Sequence, residues 1–300
     1  MFSNLYFLLF LTLTYMAFSA PLSAQKDLQP YQIFNKKGEK VTYQDLLAAA
    51  ERQDIVLFGE LHNDPIAHWL QLCLTQDLHA KKGSDLILAA EMFETDNQLL
   101  LDEYLQGSIA EKNFEAEARL WNNYQTDYKP LISFAKDKNL KVVASNVPRR
   151  YAALVAKEGV TTLENLSKEA KSLLPPLPFP LDYDLPSYAN MRQMMGAHAG
   201  EKANFFIAAQ ALKDASMAHQ ILNHYEKGKL VLHFNGAYHS DKREGIVWYL
   251  EKYQQEKSKK SLEILTISTV LQKDLATLSQ EAMGVADFII VVDERLTRTY

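Results

Sequence analysis

Six short apolar runs, each ending at polar or turn-forming residues, constrain the fold of this chain more than any other feature. The runs span residues 55–59, 86–91, 140–145, 230–235, 262–268 and 288–292. Helical patterns lie between them. Strands that are apolar on both faces and alternate with helices are typical of a parallel sheet that is covered on both sides. The sequence therefore predicts an α/β fold, with a mostly parallel sheet and helices on both of its faces.

Polar residues follow four of these runs. The segments are Gly59-Glu60-Leu61-His62, Glu91, Asn146 and Asn235-Gly236-Ala237-Tyr238-His239. In an open parallel sheet, ligands bind in the crevice beyond the carboxyl ends of the strands. We therefore expect these residues to converge on one site although they are far apart in sequence.

Charge excludes nucleic acid as a general partner. The formal net charge is -5 at pH 7, and the Lys and Arg residues are scattered among acids. A surface that follows a phosphate backbone needs a basic stripe, which this pattern does not provide.

The first 24 residues have the pattern of a secretory signal peptide. Their apolar stretch, 5–18, is short for a membrane span, and Leu22-Ser23-Ala24 offers a cleavage site before Gln25. We expect an exported protein, periplasmic or secreted. An uncleaved leader would leave it associated with the membrane.

After the leader, we predict one α/β domain interrupted by a helical insertion. Residues 25–147 and 201–300 form the α/β domain, and residues 148–200 form an inserted helical subdomain. The strand pattern disappears in the insertion, which carries a proline cluster between 175 and 186. Proline fixes the backbone and is excluded from central strands, so the cluster indicates a stiff connector.

The residues that follow the predicted strands favour a site built from carboxylate and imidazole side chains. Glu60 with His62 can hold a divalent metal or act as an acid/base pair, and His239 leaves a second strand through a glycine in the same way. Glu91 closes an apolar run and needs a cation, a metal or a proton, because burying an unpaired charge is costly. The structural alternatives are a buried core histidine at 62 and a salt bridge from Glu91 to Arg149.

Two further segments contribute polar groups to the expected crevice. Arg149 and Arg150 begin a predicted helix, where the helix dipole disfavours cations, so we expect an anion to bind there. Gln210 and Asp214 share one face of a long helix predicted over 201–227, on an apolar stripe that we expect to face the crevice.

Five ordered motifs resemble the ChaN family of haem-binding, iron-regulated proteins, part of a superfamily that includes Tiki proteases and erythromycin esterases. The motifs are Gly59-Glu60-Leu61-His62-Asn63, Ala90-Glu91-Met92-Phe93, Asn146-Val147-Pro148-Arg149-Arg150, Ala209-Gln210-Ala211-Leu212-Lys213-Asp214 with Met217-Ala218, and Asn235-Gly236-Ala237-Tyr238-His239. The resemblance implies a ChaN-like fold and a role in haem iron acquisition in the bacterial envelope. It also implies haem held as a cofacial pair at a homodimer contact, a tyrosine axial ligand and envelope iron-uptake components as partners.

Under this resemblance, the helical insertion supplies candidate haem ligands. The candidates are Tyr183, Tyr188, Met194, Met195 and His198. Arg149 and Arg150 would bind propionates, and Gln210 and Asp214 complete the expected cofactor-binding set. The structural alternative is an ordinary helix whose methionines pack in the hydrophobic core.

The competing hypothesis is enzymatic. Glu60, His62, Glu91 and His239 would then bind a divalent metal or activate water for hydrolysis, as the wider superfamily permits, and an arginine at 149 or 150 would stabilise an oxyanion. A third possibility is a structural envelope protein with an idle crevice. The leader lacks the cysteine that lipid attachment requires, since the only cysteine is Cys73.

Overall fold

The computed structural model describes residues 28–196, 200–257 and 261–300. The predicted leader and His198 lie outside these described residues. Within them, the eight strands are β1 (Tyr31–Asn35), β2 (Lys40–Val41), β3 (Ile55–Glu60), β4 (Leu86–Glu94), β5 (Lys141–Asn146), β6 (Leu230–Gly236), β7 (Ile264–Gln272) and β8 (Phe288–Asp293).

These strands form one mixed sheet in the order β2-β1-β8-β7-β3-β6-β4-β5. The six apolar runs of the sequence are the parallel strands β3 to β8, as predicted. The sequence did not indicate β1 and β2, which pair antiparallel at one edge. Both are short, and neither forms an apolar run like those of the central strands.

Helices cover the sheet. In the described chain they are α1 (Tyr43–Ala50), α2 (Pro65–Lys82), α3 (Gln98–Leu105), α4 (Glu111–Glu117), α5 (Lys129–Asp137), α6 (Arg149–Glu158), α7 (Lys168–Lys171), α8 (Pro186–Met195), α9 (Gly200–His224) and α10 (Ile246–Lys257). None of these is both long and apolar enough to span a membrane.

Alternate side chains of the central strands enter two separate cores. In β3, Val56 and Phe58 pack with α2 and α5 on one face, and Ile55 and Leu57 pack with α9 and α10 on the other. This is the expected result of a pleated strand that is buried on both faces.

The described part of the 148–200 segment contains helices α6, α7 and α8 and no strand. Its apolar side chains, among them Val155, Leu163 and Tyr188, join the core that α9 and the sheet share. The segment therefore packs directly on the α/β unit. The division of the chain into domain and insertion stays a prediction.

The loop from β3 into α2 is fixed by the signals that the sequence shows. Asp64 is buried and accepts a hydrogen bond from the amide of Ala67 at 2.9 Å, and Pro65 begins the helix. Gly83 ends it with a φ of 56°. Because the cap fixes the start of α2, His62 is held at the carboxyl end of β3.

Candidate functional site

A crevice opens at the carboxyl ends of β3, β4 and β6. It consists of two adjoining cavities of about 670 and 620 Å³. The residues that line both cavities are His62, Glu91, Phe206, Gln210, Lys213 and Tyr300. The expected convergence of distant segments on one crevice is therefore observed.

The position of the crevice follows from strand order. β6 lies between β3 and β4, and Glu60 at the end of β3 is paired with Gly236 at the end of β6. After β3 the chain crosses to β4 on one side, and after β6 it crosses to β7 on the other. Such a reversal leaves space between the loops and is the usual ligand site of open α/β sheets.

Glu60 is a buried carboxylate with a complete set of donors. Its Oε1 accepts hydrogen bonds from the Tyr128 hydroxyl at 2.6 Å and lies 2.9 Å from Nδ1 of His62. Its Oε2 accepts from Nε2 of Gln71 at 2.5 Å. These contacts fix the Glu60 side chain in the interior, and Glu60 in turn orients the ring of His62.

His62 presents its other ring edge to the crevice. Its side chain is 36% exposed, and its ring meets Trp121 edge-on with 4.8 Å between centroids. The side-chain amide of Asn123 donates to the backbone carbonyl of His62 at 2.8 Å and so fixes the loop between β3 and α2. Burial lowers the pKa of His62, but the carboxylates of Glu60 and Glu91 outweigh burial and raise it.

The sequence predicted that the strand ends at Glu91, but β4 continues to Glu94. The pairing of β4 with β5 is irregular between Ala90 and Glu94, and Glu91 lies in this stretch. The Glu91 carboxylate accepts a hydrogen bond from the amide of Gly236 at 2.8 Å and lies 3.3 Å from Nε2 of His239. Its partner is thus a histidine from a distant strand.

His239 lies buried between two carboxylates. Its Nδ1 is 2.5 Å from Asp214, whose other oxygen accepts the Tyr188 hydroxyl at 2.7 Å. Burial would lower the pKa of His239, but Glu91 and Asp214 raise it to about 10. His239 is therefore a protonated, hydrogen-bonded cation at neutral pH, and both of its ring nitrogens face carboxylates.

The sequence predicted a divalent metal site at Glu60, His62, Glu91 and His239, which stays a prediction. Among the residues that the structure describes, no group of three or more His, Cys, Asp or Glu side chains is arranged to hold a metal ion. Both ring nitrogens of His239 face carboxylates, whereas His62 contacts a carboxylate only through Nδ1 and keeps its other ring edge toward the crevice.

Arginines border the crevice, but Arg149 does not pair with Glu91. Its Nε donates to Glu94 at 2.6 Å, and Arg119 donates to the same carboxylate at 3.1 Å. Arg119 and Arg150 both pair with Asp96. Three guanidinium groups thus share two carboxylates, and the side chain of Arg149 is 63% exposed beside the larger cavity.

The candidate haem ligands of the helical insertion occupy different environments. Tyr188 is 1% exposed and donates to Asp214, and burial raises the pKa of its phenol. Tyr183 is partly buried, with the Arg192 guanidinium 5.8 Å from its ring centroid. Met194 is 79% exposed and Met195 38% exposed. His198 lies outside the described residues.

Gln210 and Asp214 face the crevice side of α9, as the helical spacing predicts. Nε2 of Gln210 lies 3.1 Å from both ring nitrogens of His239, and Asp214 binds the same ring. Sequence reasoning missed Tyr128 and Gln71, which hold Glu60, and Trp121 and Asn123, which contact His62. These four lie in or beside helices and carry no local motif that sets them apart from ordinary helical residues.

Fold and site together define an α/β protein with a ligand crevice at the switch point of its sheet. A family model described as "Haem-binding uptake, Tiki superfamily, ChaN" matches residues 46–250. The chain belongs to this family. The match covers the five motifs and the crevice residues from Glu60 to His239.

The fold is shared with a solved structure of a ChaN protein. The chain is similar to a Campylobacter jejuni ChaN described by its cofacial haem binding, with a TM-score of 0.64 and 15% identity over 87% of this chain and 96% of that one. The type III effector HopBA1 aligns with a TM-score of 0.44 and 16% identity over 83% of this chain and 90% of that one. The search of curated proteins found no match.

Proposed function

We propose that this protein binds haem at the crevice and serves haem iron acquisition as an exported protein of the cell envelope. The observation that carries the proposal is the crevice of about 670 Å³, lined by aromatic, apolar and cationic side chains, in a chain of the haem-binding uptake family. The Campylobacter relative is described as binding haem cofacially. The proposal includes a homodimer in which two copies of this chain hold their haem groups face to face.

The lining residues fit the chemistry of haem. A planar apolar ring needs apolar surface, and its propionates need cations. Trp121, Phe206 and Ala153 supply apolar surface, and Arg149 and Lys213 supply positive charge at the same cavity. Met191 of α8 lines the smaller cavity, so the helical insertion borders the crevice.

For the axial ligand, we propose Tyr183 rather than Tyr188. Tyr188 lies in the interior with its hydroxyl on Asp214, so it would have to leave the core to reach an iron atom. Tyr183 is only partly buried and lies just before α8, which borders the crevice through Met191, although Tyr183 itself lines neither cavity. Burial raises the pKa of its phenol, and the nearby Arg192 offsets part of that rise. A tyrosinate ligand is stabilised by a neighbouring guanidinium.

Titration of the leader-free protein with hemin tests the proposal. We expect a shifted Soret band with tyrosinate-type charge-transfer bands. Because two copies are proposed to meet through their haem groups, the apparent mass of the protein in solution should also increase as hemin is added. Tyr183→Phe should change these bands. Tyr188→Phe, at the buried position of the same helix region, is the matched control and should leave them unchanged.

Hemin spectra that stay those of free hemin would contradict haem binding. Unchanged bands in Tyr183→Phe, with hemin still bound, would contradict only the ligand assignment.

A second candidate function is hydrolysis, favoured by the orientation of His62. Glu60 holds Nδ1 of His62 while the other side of the ring faces the crevice, which is the arrangement of a general base. His239 stays protonated, so it would stabilise negative charge rather than accept a proton. In this function His62 would take a proton from a water molecule in the crevice.

The two functions respond differently to His62→Ala. Hydrolysis of ester or amide probes, if present, should be lost in this variant, while hemin binding through Tyr183 should persist. Divalent metal that survives dialysis of the wild type and is lost in His62→Ala, with no hemin spectrum, would favour the hydrolase.

A further inference from the structure

Two large aromatic side chains remain exposed at the mouth of the crevice. Phe206 is 46% exposed and Tyr300 64% exposed, and both line both cavities. Neither ring has an aromatic partner among the described residues. Because exposed aromatic surface is costly in water, two such rings at the mouth of a crevice indicate a ligand with an apolar face.

Tyr300 is held at the crevice by a short segment, 298–300, that we call the strap. Arg298 pairs with the buried carboxylate of Asp64, and the hydroxyl of Thr299 donates to Asp127 at 2.8 Å. The amide of Thr299 donates to the carbonyl of Asn63 at 3.1 Å. These contacts join the strap to the loop that carries His62.

The strap lies beyond residues 46–250, which the family model matches. One of its acceptors is nonetheless connected to the site. Asp127 also accepts from Nδ2 of Asn123 at 2.6 Å, and Asn123 in turn donates to the His62 carbonyl at 2.8 Å. Docking of the strap and placement of His62 therefore share one hydrogen-bond network.

Lys213 gives the crevice a cation beside Phe206. The two residues are seven positions apart on α9, so they lie on the same face of the helix, and both line both cavities. Lys213 makes no ion pair with any residue in the described ranges. Its charge is thus available to an acidic group of a ligand and is not shared with a protein carboxylate, as the charge of Arg149 is with Glu94.

We propose that Phe206, Tyr300 and Lys213 form a clamp for a planar aromatic acid, with the ring of the ligand against both aromatic side chains and its carboxylate on Lys213. This inference rests on the proposed haem binding and deepens it, since it places a porphyrin acid inside the crevice and makes the strap part of the site. Tyr300 acts through its ring, so the phenol oxygen is not required.

Metal-free protoporphyrin IX is the probe that tests the clamp, because it keeps the ring and the two acids and removes iron ligation. Binding is followed by probe fluorescence and compared with hemin binding. We expect Tyr300→Ala and Phe206→Ala each to weaken binding on the order of tenfold, the usual size of one aromatic contact. Tyr300→Phe should bind as the wild type does.

The other parts of the clamp have their own controls. Lys213→Met should weaken binding of protoporphyrin IX but not of its dimethyl ester. Thr299→Val, which loses the bond to Asp127, should weaken binding, and Thr299→Ser, which keeps it, should not. Trp69→Ala removes an aromatic that is 50% exposed and lies outside both cavities, and it should have no effect.

The outcomes separate the clamp from the haem proposal. If Tyr300→Ala and Phe206→Ala both bind protoporphyrin IX as tightly as the wild type, the clamp is overturned and haem binding is left intact. Equal loss in Tyr300→Phe and Tyr300→Ala would overturn the role of the ring. A wild type that binds neither hemin nor protoporphyrin IX would overturn haem binding itself, and the clamp with it.

Discussion

The ring of His62 occupies the space that a side chain at Gly236 would fill. A Cβ atom added to Gly236 would lie 2.8 Å from both Cε1 and Nε2 of His62. Gly236 also donates its amide to Glu91, so the absence of a side chain there lets three segments of the chain approach one another. The glycine at the end of β6 is therefore a requirement of the site.

Alanine at the two strand-end glycines should have different effects. Gly236→Ala should displace the partly exposed His62 ring and weaken ligand binding with little loss of stability, because a side chain can move. At Gly59, an added Cβ would lie 2.8 Å from backbone atoms of Ala237 and Ile267. Gly59→Ala should therefore destabilise the protein by about 1–3 kcal/mol, measured by urea unfolding. Equal stability loss in the two variants would contradict this distinction.

Stability should fall as pH rises through the alkaline range. The pKa of His239 is raised from 6.5 to about 10, so the folded state binds a proton that the unfolded state releases. The contribution of His239 is fully present below pH 6.5 and is lost as pH rises through about 10. The free energy of unfolding, measured by urea titration at several pH values, should show this decline.

The matched variant for this experiment is His239→Gln, which keeps a polar side chain without the charge. Subtracting its unfolding free energies from those of the wild type isolates the His239 contribution from other titrating groups. A difference that stays constant from pH 6.5 to 10 would contradict the buried imidazolium.

Removing one carboxylate beside His239 should lower the pKa of that imidazole. Asp214→Asn leaves Glu91 as the only charged partner, and we expect a destabilisation on the order of 3 kcal/mol for breaking a buried ion pair. Tyr188→Phe is the comparison, because it removes only the hydroxyl on Asp214 and keeps both charges. NMR of the His239 ring should show a lower pKa in the first variant and a nearly unchanged one in the second. An unchanged pKa in Asp214→Asn would show that Asp214 is not its charged partner.

Loss of the Tyr128 hydroxyl, which donates to Glu60, should lower the free energy of unfolding. Tyr128→Phe leaves the buried carboxylate with Gln71 and His62 as donors, and an unmade hydrogen bond of this kind costs about 1–3 kcal/mol. Thermal or urea unfolding measures the loss. Tyr225→Phe removes a comparable hydroxyl that binds Asp54 away from the crevice, and it should cost less because Asp54 is less buried.

The sequence predicted the central sheet well because its strands are buried on both faces. Short, β-rich apolar runs such as Ile55 to Phe58 favour a strand that is buried on both faces, whereas the edge strand Tyr31–Asn35 is only half-buried and shows no such run. The sequence also indicated the polar residues at the strand ends, because two apolar runs end at a glycine that is followed three positions later by a histidine, His62 in one case and His239 in the other.

Pairing within the site could not be predicted from sequence. That Glu91 binds His239, and that Arg149 binds Glu94, depends on the irregular stretch of β4 that extends the strand past Glu91. The strap is a similar case, because nothing in Arg298-Thr299-Tyr300 indicates that Asp64 and Asp127 lie beside it. Such contacts depend on tertiary packing between segments that are remote in the chain.

A crystal structure of the protein with bound hemin tests the central claim most directly, because it locates the ligand relative to the sheet. We predict the porphyrin at the carboxyl ends of β3, β4 and β6, against Phe206 and Tyr300 and beside His62. Hemin on the outer face of α8, around Met194 and away from His62, would contradict a haem site in the crevice.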